Sequence, residues 1–210
     1  MAIIYTNRKG KIYYLIEGKT SKGNPKYYFS PKNGGNILEN IPEGYEIYEN
    51  PINAELYLRK AKEKIFTDEE FTIVKEELSK YIKFFIIDSD DNHLTIYEPE
   101  TNIHGILESF GKNIGGMLGF ESECLSAMKD VLKGYYETAM KRKEEEVMVS
   151  LSKVSTYSPV IKIGKEENKY YTLKYNSNYD YWDFPEIEED DLRKISKKLG
   201  KYLHDKKENL

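Results

Sequence analysis

The sequence predicts an α+β protein: a small N-terminal antiparallel β meander followed by an α+β domain with two β-hairpin/helix units. Three observations predict it. Paired tyrosines bracket the break Lys22-Gly23-Asn24-Pro25, with a second turn at Pro42-Glu43-Gly44, which is hairpin chemistry. Thr67-Asp68-Glu69-Glu70 opens a stretch whose apolar residues recur every three or four positions, as in a capped amphipathic helix. A hairpin followed by a helix then occurs twice, over 84–118 and 160–204, and joining the two hairpins would make one four-stranded sheet with helices on one face.

Residues 1–62 form the Tyr/Lys-rich β module, with strands expected over 3–5, 12–17, 26–30, 45–49 and 55–59 and a turn at Asn33-Gly34-Gly35-Asn36. Lys60 to Lys64 is a charged connector to the α+β domain, residues 65–210. There the helix over 67–82 starts at the capping box and buries Phe71, Val74, Leu78, Tyr81 and Ile82. A hairpin over 84–98 turns at Asp88 to Asn92, and Pro99 stops it. Helices fill 103–147, interrupted by the glycine cluster Gly111 to Gly119, and 150–158 reads as a linker. A hairpin over 160–175, turning at Gly164 to Asn168, and a helix over 187–204 complete the chain.

The 210 residues suffice for one substantial core, and no apolar run approaches the roughly 18 residues of a spanning helix. The N-terminus puts apolar residues before basic ones, the reverse of a secretory signal, so a cytoplasmic protein with no membrane partner is expected. A single cysteine, Cys124, excludes an internal disulfide and a multi-cysteine zinc site. The net charge of −4 conceals an asymmetry: residues 1–38 hold seven Lys/Arg against Glu17 alone, +6, which leaves −10 for the rest. A basic end on an acidic body steers polyanions to one face, although an A/T-rich coding bias would also enrich lysine and tyrosine.

Candidate sites follow from residue type and spacing. Lys11, Lys19, Lys22, Lys26, Tyr27 and Tyr28 combine ammonium groups for phosphates with aromatic faces for bases, although alternation puts only half the aromatics on one face. Scarce arginine weighs against base readout. Tyr179, Tyr181 and Trp182 belong to a second aromatic cluster, suited to a partner interface or to core filling. Asp88, Asp90 and Asn92 match the first ligand positions of a calcium loop, but His93 and Pro99 stand where glycine and glutamate are needed. Asp88, Asp90, His93 and His104 could still assemble a metal site in space. The glycine cluster fits neither a P-loop nor a dinucleotide fingerprint, and no nucleophile elbow is present.

The strings YYLIEGKTSKGNPKYYFS and IPEGYEIYENP, followed by LRK, resemble the opening of a group of uncharacterised prokaryotic proteins, and the similarity extends through FTDEEFTIVKEEL and YSPVIKI. The resemblance implies a discrete fold and no activity, cofactor or catalytic residue.

The function expected is binding of a macromolecule, an acidic protein or a nucleic acid, through the basic aromatic hairpin, without catalysis and without a cofactor. One alternative is a small metal-dependent enzyme built on Asp88, Asp90, His93 and His104. Another is an oligomeric structural protein joined through the 122–147 helix.

Overall fold

The computed structural model describes residues 2–90, 92–101, 142, 145–167, 169–183 and 187–208. The expected helices over 103–141, the glycine cluster, His104, Cys124 and Phe184-Pro185 lie outside them. The chain divides into two compact units, Met1–Glu98 with Thr156–Leu210, and Pro99–Ser155. In the second, residues 145–154 are helical, so the helix runs into the stretch read as a linker. Among the described residues no helix is long and apolar enough to cross a membrane.

The first unit begins with the β meander. Strands β1 (Ile4–Thr6), β2 (Ile12–Lys19), β3 (Pro25–Ser30) and β4 (Asn36–Ile37) form an antiparallel sheet centred on β2. β3 lies along one edge of β2, and β1 and β4 follow one another along the other. Gly23 sits at φ +81°, a left-handed conformation that glycine adopts without strain, and closes the β2–β3 turn. β5 (Tyr45–Glu49) and β6 (Leu56–Lys60) make a separate antiparallel pair.

Arg8 ties these pieces together. Its backbone N–H and guanidinium donate to the Glu49 carboxylate, its two terminal nitrogens donate to the carbonyls of Asn50 and Ile52 at 3.0 and 3.1 Å, and its guanidinium lies 5.1 Å from the centre of the Tyr157 ring. Asn7, buried, donates to the Ala54 carbonyl and accepts from the Lys11 N–H. Arg8, one of the seven basic residues counted in 1–38, is therefore part of a half-buried clamp.

The larger sheet contains both hairpins, a joining the sequence left open. β7 (Ile86–Ser89) and β8 (His93–Pro99) pair antiparallel, as do β9 (Tyr157–Glu166) and β10 (Lys169–Asn176), and the strand order is β10-β9-β8-β7. Two short strands were not foreseen: β11 (Tyr181–Trp182) and β12 (Glu188–Glu189) both line the outer edge of β10. Because β12 occupies 188–189, the last helix, α2 (Leu192–Glu208), starts five residues after the expected 187. Asp191 caps it, its carboxylate accepting from the N–H groups of Arg193 and Lys194. Gly164, expected in a turn, lies inside β9 opposite Tyr171, and Glu167 turns the chain instead at φ 51°.

Helix α1 (Asp68–Leu78) carries the predicted capping box. Glu70 N–H donates to the Thr67 hydroxyl and the Glu70 carboxylate accepts from the Thr67 N–H, contacts worth about 1 kcal/mol. The helix ends at Leu78 rather than 82, and residues 79–82 follow as turns that donate to the carbonyls of Lys75, Glu77 and Leu78. α1 and α2 cover one face of the sheet: Val74, Leu78, Leu192, Ile195, Leu199 and Leu203 pack with Leu94, Ile96, Ile161 and Ile163 in one core. Three ion pairs on two glutamates lock this layer. Glu70 accepts from Lys165 Nζ and from the Tyr170 hydroxyl, each at 2.7 Å, and buried Glu77 accepts from Arg193 at 2.6 Å and Lys80 at 2.7 Å.

Candidate binding surfaces

Strand register sorts the N-terminal side chains into two faces. Ile4 opposes Tyr14, Thr6 opposes Ile12, Tyr28 opposes Ile16 and Lys26 opposes Gly18, so these residues share one face of the sheet. Tyr5, Tyr13, Leu15, Tyr27 and Phe29 share the other. The second face turns inward: Leu15 is fully buried, Tyr27 packs edge-on against Tyr45 at 5.7 Å, and burial with the Glu49 charge raises the Tyr5 pKa.

The first face is exposed around a buried centre, Ile16. Ile4 is 56% exposed, Ile12 51% and Tyr28 43%, and Lys26 is also exposed. Three large apolar side chains on one face are an unusual investment for so small a sheet. Tyr28 lies across Gly18, where an added Cβ would come within 3.1 Å of the ring. The glycine thus gives the ring a backbone floor.

Of the six residues predicted from sequence, the structure gathers some and separates others. Lys19, Lys22 and Lys26 stand at the turn end of the β2–β3 hairpin, while Lys11 precedes β2 at the opposite end. Lys26 and Tyr28 share the outward face, but Tyr27 belongs to the inward one and Lys19 also alternates to that side. Lys11, Lys19, Lys22 and Lys26 are exposed and form no ion pair among the described residues. Ile4 and Ile12 were missed as site residues, although alternation through Tyr14 could have placed Ile12 beside the basic face.

The second aromatic group divides between solvent and packing. Tyr179 and Tyr181 are exposed at the β10–β11 turn with ring centres 6.1 Å apart, and Trp182 packs on Tyr175 at 5.0 Å. Only the two tyrosines of the expected interface face outward. Trp182 is half-buried, with Lys162 Nζ 4.5 Å from its ring centre.

Asp88, Asp90 and His93 do converge on the β7–β8 turn, but each carboxylate already has work. Asp90 accepts from the N–H groups of Asn92 and His93 at 3.0 and 2.8 Å and so closes the turn. Asp88 accepts from the Tyr48 hydroxyl at 2.9 Å, with Arg59 3.7 Å from the centre of the Tyr48 ring and bonded to Glu46. Burial raises the Asp88 pKa, against the Tyr48 bond and the Arg59 charge, and Asp90 and Glu46 push it the same way as burial. Burial, then Asp88 and Asp90, lift Tyr97 to about 12. Among the described residues no three His, Cys, Asp or Glu side chains are grouped to hold a metal ion.

His93 meets an unexpected neighbour. Its Nε2 lies 3.4 Å from the Tyr171 hydroxyl, a contact between β8 and β10 that spans the intervening β9. The ring planes are nearly perpendicular, at 83°. Gly164 makes this possible, since a Cβ there would fall 2.2 Å from the Tyr171 Cζ. An isolated glycine inside a strand signals such a close approach, but the chain places His93 and Tyr171 too far apart to be paired by inspection.

Comparison with protein-family models, with curated proteins and with solved structures gives no match.

Proposed function

We propose that the protein is a non-catalytic macromolecule-binding protein that engages a polyanionic partner through the outward face of its N-terminal sheet. The observation that carries the reading is the coincidence on one face of exposed Ile4, Ile12 and Tyr28 with Lys26, and with Lys22 at the adjoining turn. Apolar and aromatic groups alone would suit any protein partner. Lysines without a carboxylate among the described residues add a preference for negative charge, and the +6 of residues 1–38 against −10 elsewhere orients the approach. The exposed ring of Tyr28 favours a nucleic acid over an acidic polypeptide, because every base offers a face for stacking. A cytoplasmic setting belongs to the same reading and is supported by the single cysteine, which leaves no disulfide framework.

Fluorescence anisotropy with labelled single- and double-stranded oligonucleotides at two salt concentrations tests it. Binding should weaken with salt, with a slope of about −0.7 per contacted phosphate for a single strand. Absence of binding at low salt would remove nucleic acid as the partner.

A further inference from the structure

The loop between β3 and β4 carries Asn33-Gly34, the only Asn-Gly pair in the chain. Both residues are exposed and outside the strands, and among the described residues neither the Asn33 carboxamide nor the Gly34 N–H makes a hydrogen bond. A side chain at Gly34 would meet nothing within 4 Å, and the Gly34 φ lies outside the left-handed region that Gly35 occupies at +86°. An unshielded backbone nitrogen therefore follows directly on a carboxamide with no partner, and glycine leaves the two free to rotate into contact.

Most other described asparagines are blocked. Asn24 and Asn50 precede prolines, which have no N–H. The N–H groups after Asn7, Asn53 and Asn92 are already donated, to Glu49, the Asn50 carbonyl and Asp90. Asn36 donates its amide to Glu17 and precedes a branched isoleucine. The nearest rival, Asn176 before Ser177, has its carboxamide engaged by the Asn178 N–H.

We propose that Asn33-Gly34 is a self-modification site, at which the chain converts an amide to an acid without an enzyme. The Gly34 nitrogen attacks the Asn33 side-chain carbonyl carbon and closes a five-membered imide. The Cγ–Nδ2 bond breaks, and Nδ2 leaves as ammonia with the proton from the Gly34 nitrogen. Water then opens the imide at either carbonyl, giving aspartate at position 33 or isoaspartate, in which the main chain runs through the side-chain carbon. Either product adds one negative charge, so residues 1–38 fall from +6 to +5. The fold tolerates the change because no hydrogen bond depends on the pair. Gly35, next in the loop, lies against Ile16 of the outward face, where an added Cβ would come within 3.3 Å of Cγ2. The new charge therefore opposes a polyanion on that face, a consequence that rests on the function proposed above, whereas the modification does not.

The purified chain is incubated at mildly alkaline pH and digested, and fragmentation mass spectrometry locates each amide-to-acid mass gain. Position 33 should convert first, ahead of position 176, with isoaspartate as the larger product. Gly34→Ala should slow the conversion severalfold and keep the wild-type melt, since the added methyl meets nothing in the fold yet hinders the attack. Conversion of other asparagines before position 33, or equal rates in wild type and Gly34→Ala, overturns the site. Asn33→Asp carries the charge alone and should weaken oligonucleotide affinity about twofold at low salt, as one exposed charge does. Unchanged affinity in that variant overturns the consequence and leaves the modification standing. A wild-type chain that binds no oligonucleotide removes the polyanion reading, and the mass gain still decides the site.

Discussion

Some cations of this protein hold carboxylates and others do not. In the helix-covered sheet, Lys165, Arg193 and Lys198 each pair with a carboxylate, and Lys165 and Arg193 bind partly buried glutamates of α1. In the N-terminal sheet, Lys22 and Lys26 are exposed on a turn and an outward face with no such partner among the described residues. Arg8 stands between them: in sequence it belongs to the basic N-terminal run, yet it spans Glu49, Asn50, Ile52 and Tyr157. The difference teaches that a local charge count says little about role. What decides it is whether the register turns the side chain toward a carboxylate or toward solvent.

Removing charges from each population sharpens the contrast. The largest effect on stability belongs to Glu70, where burial disfavours the ionised form but bonds from Lys165, the Thr67 N–H and Tyr170, with the Lys165 charge, hold the pKa at about 2. A carboxylate held that far below its unfolded value contributes on the order of 3 kcal/mol at neutral pH. Because the folded value is the lower one, this contribution is complete above about pH 4.5 and is lost as pH falls toward 2. Glu70→Gln keeps the capping geometry, so urea melts should show it destabilised by about 2–3 kcal/mol at pH 7, with the gap closing in acid. A gap independent of pH would contradict the ion-pair role.

Arg8→Met comes next. It leaves the Glu49 carboxylate and two carbonyls short of donors, which should cost about 1–3 kcal/mol in chemical denaturation. If it cost nothing while weakening oligonucleotide binding, Arg8 would belong with the exposed lysines after all. Tyr48→Phe removes one hydrogen bond to the half-buried Asp88 and should cost about 1 kcal/mol, read by the same melts. The smallest effect is expected at the outward face: Lys22→Ala with Lys26→Ala should stay within about 0.5 kcal/mol of wild type, as for other surface changes. A larger loss would mean that these lysines have structural partners.

Much of this architecture is legible in the sequence where a local signal exists. The Thr67 and Glu70 side chains lie one turn apart, so the capping box needs no tertiary information, and the β2–β3 and β7–β8 hairpins announce themselves by turn residues and alternation. β11 and β12 escape because a two-residue strand has no period and exists only through its pairing with β10. For the same reason the start of α2 is misplaced: the acidic run 186–191 suits a helix N-terminus, but Glu188 and Glu189 are taken by Tyr171 and Tyr170 of β10. Within the candidate surface, the residue types are readable and their faces are not. Tyr27 and Tyr28 look equivalent until the register Ile16 to Tyr28 is known, and then one is half-buried on the inward face and the other is exposed. The contact of His93 with Tyr171 depends on three strands lying side by side and on the missing side chain of Gly164.

The most direct test of the central claim compares single-stranded oligonucleotide affinity at low salt for wild type, for the Lys22→Ala/Lys26→Ala/Tyr28→Ala triple variant and for Lys165→Ala. The account predicts that the triple variant melts like wild type yet loses at least about tenfold in affinity, from two phosphate contacts and one stacked ring. Lys165→Ala should lose stability and keep its affinity while folded. Undiminished binding by the triple variant, or equal losses in the triple variant and Lys165→Ala, would contradict a binding surface on the outward face of the N-terminal sheet.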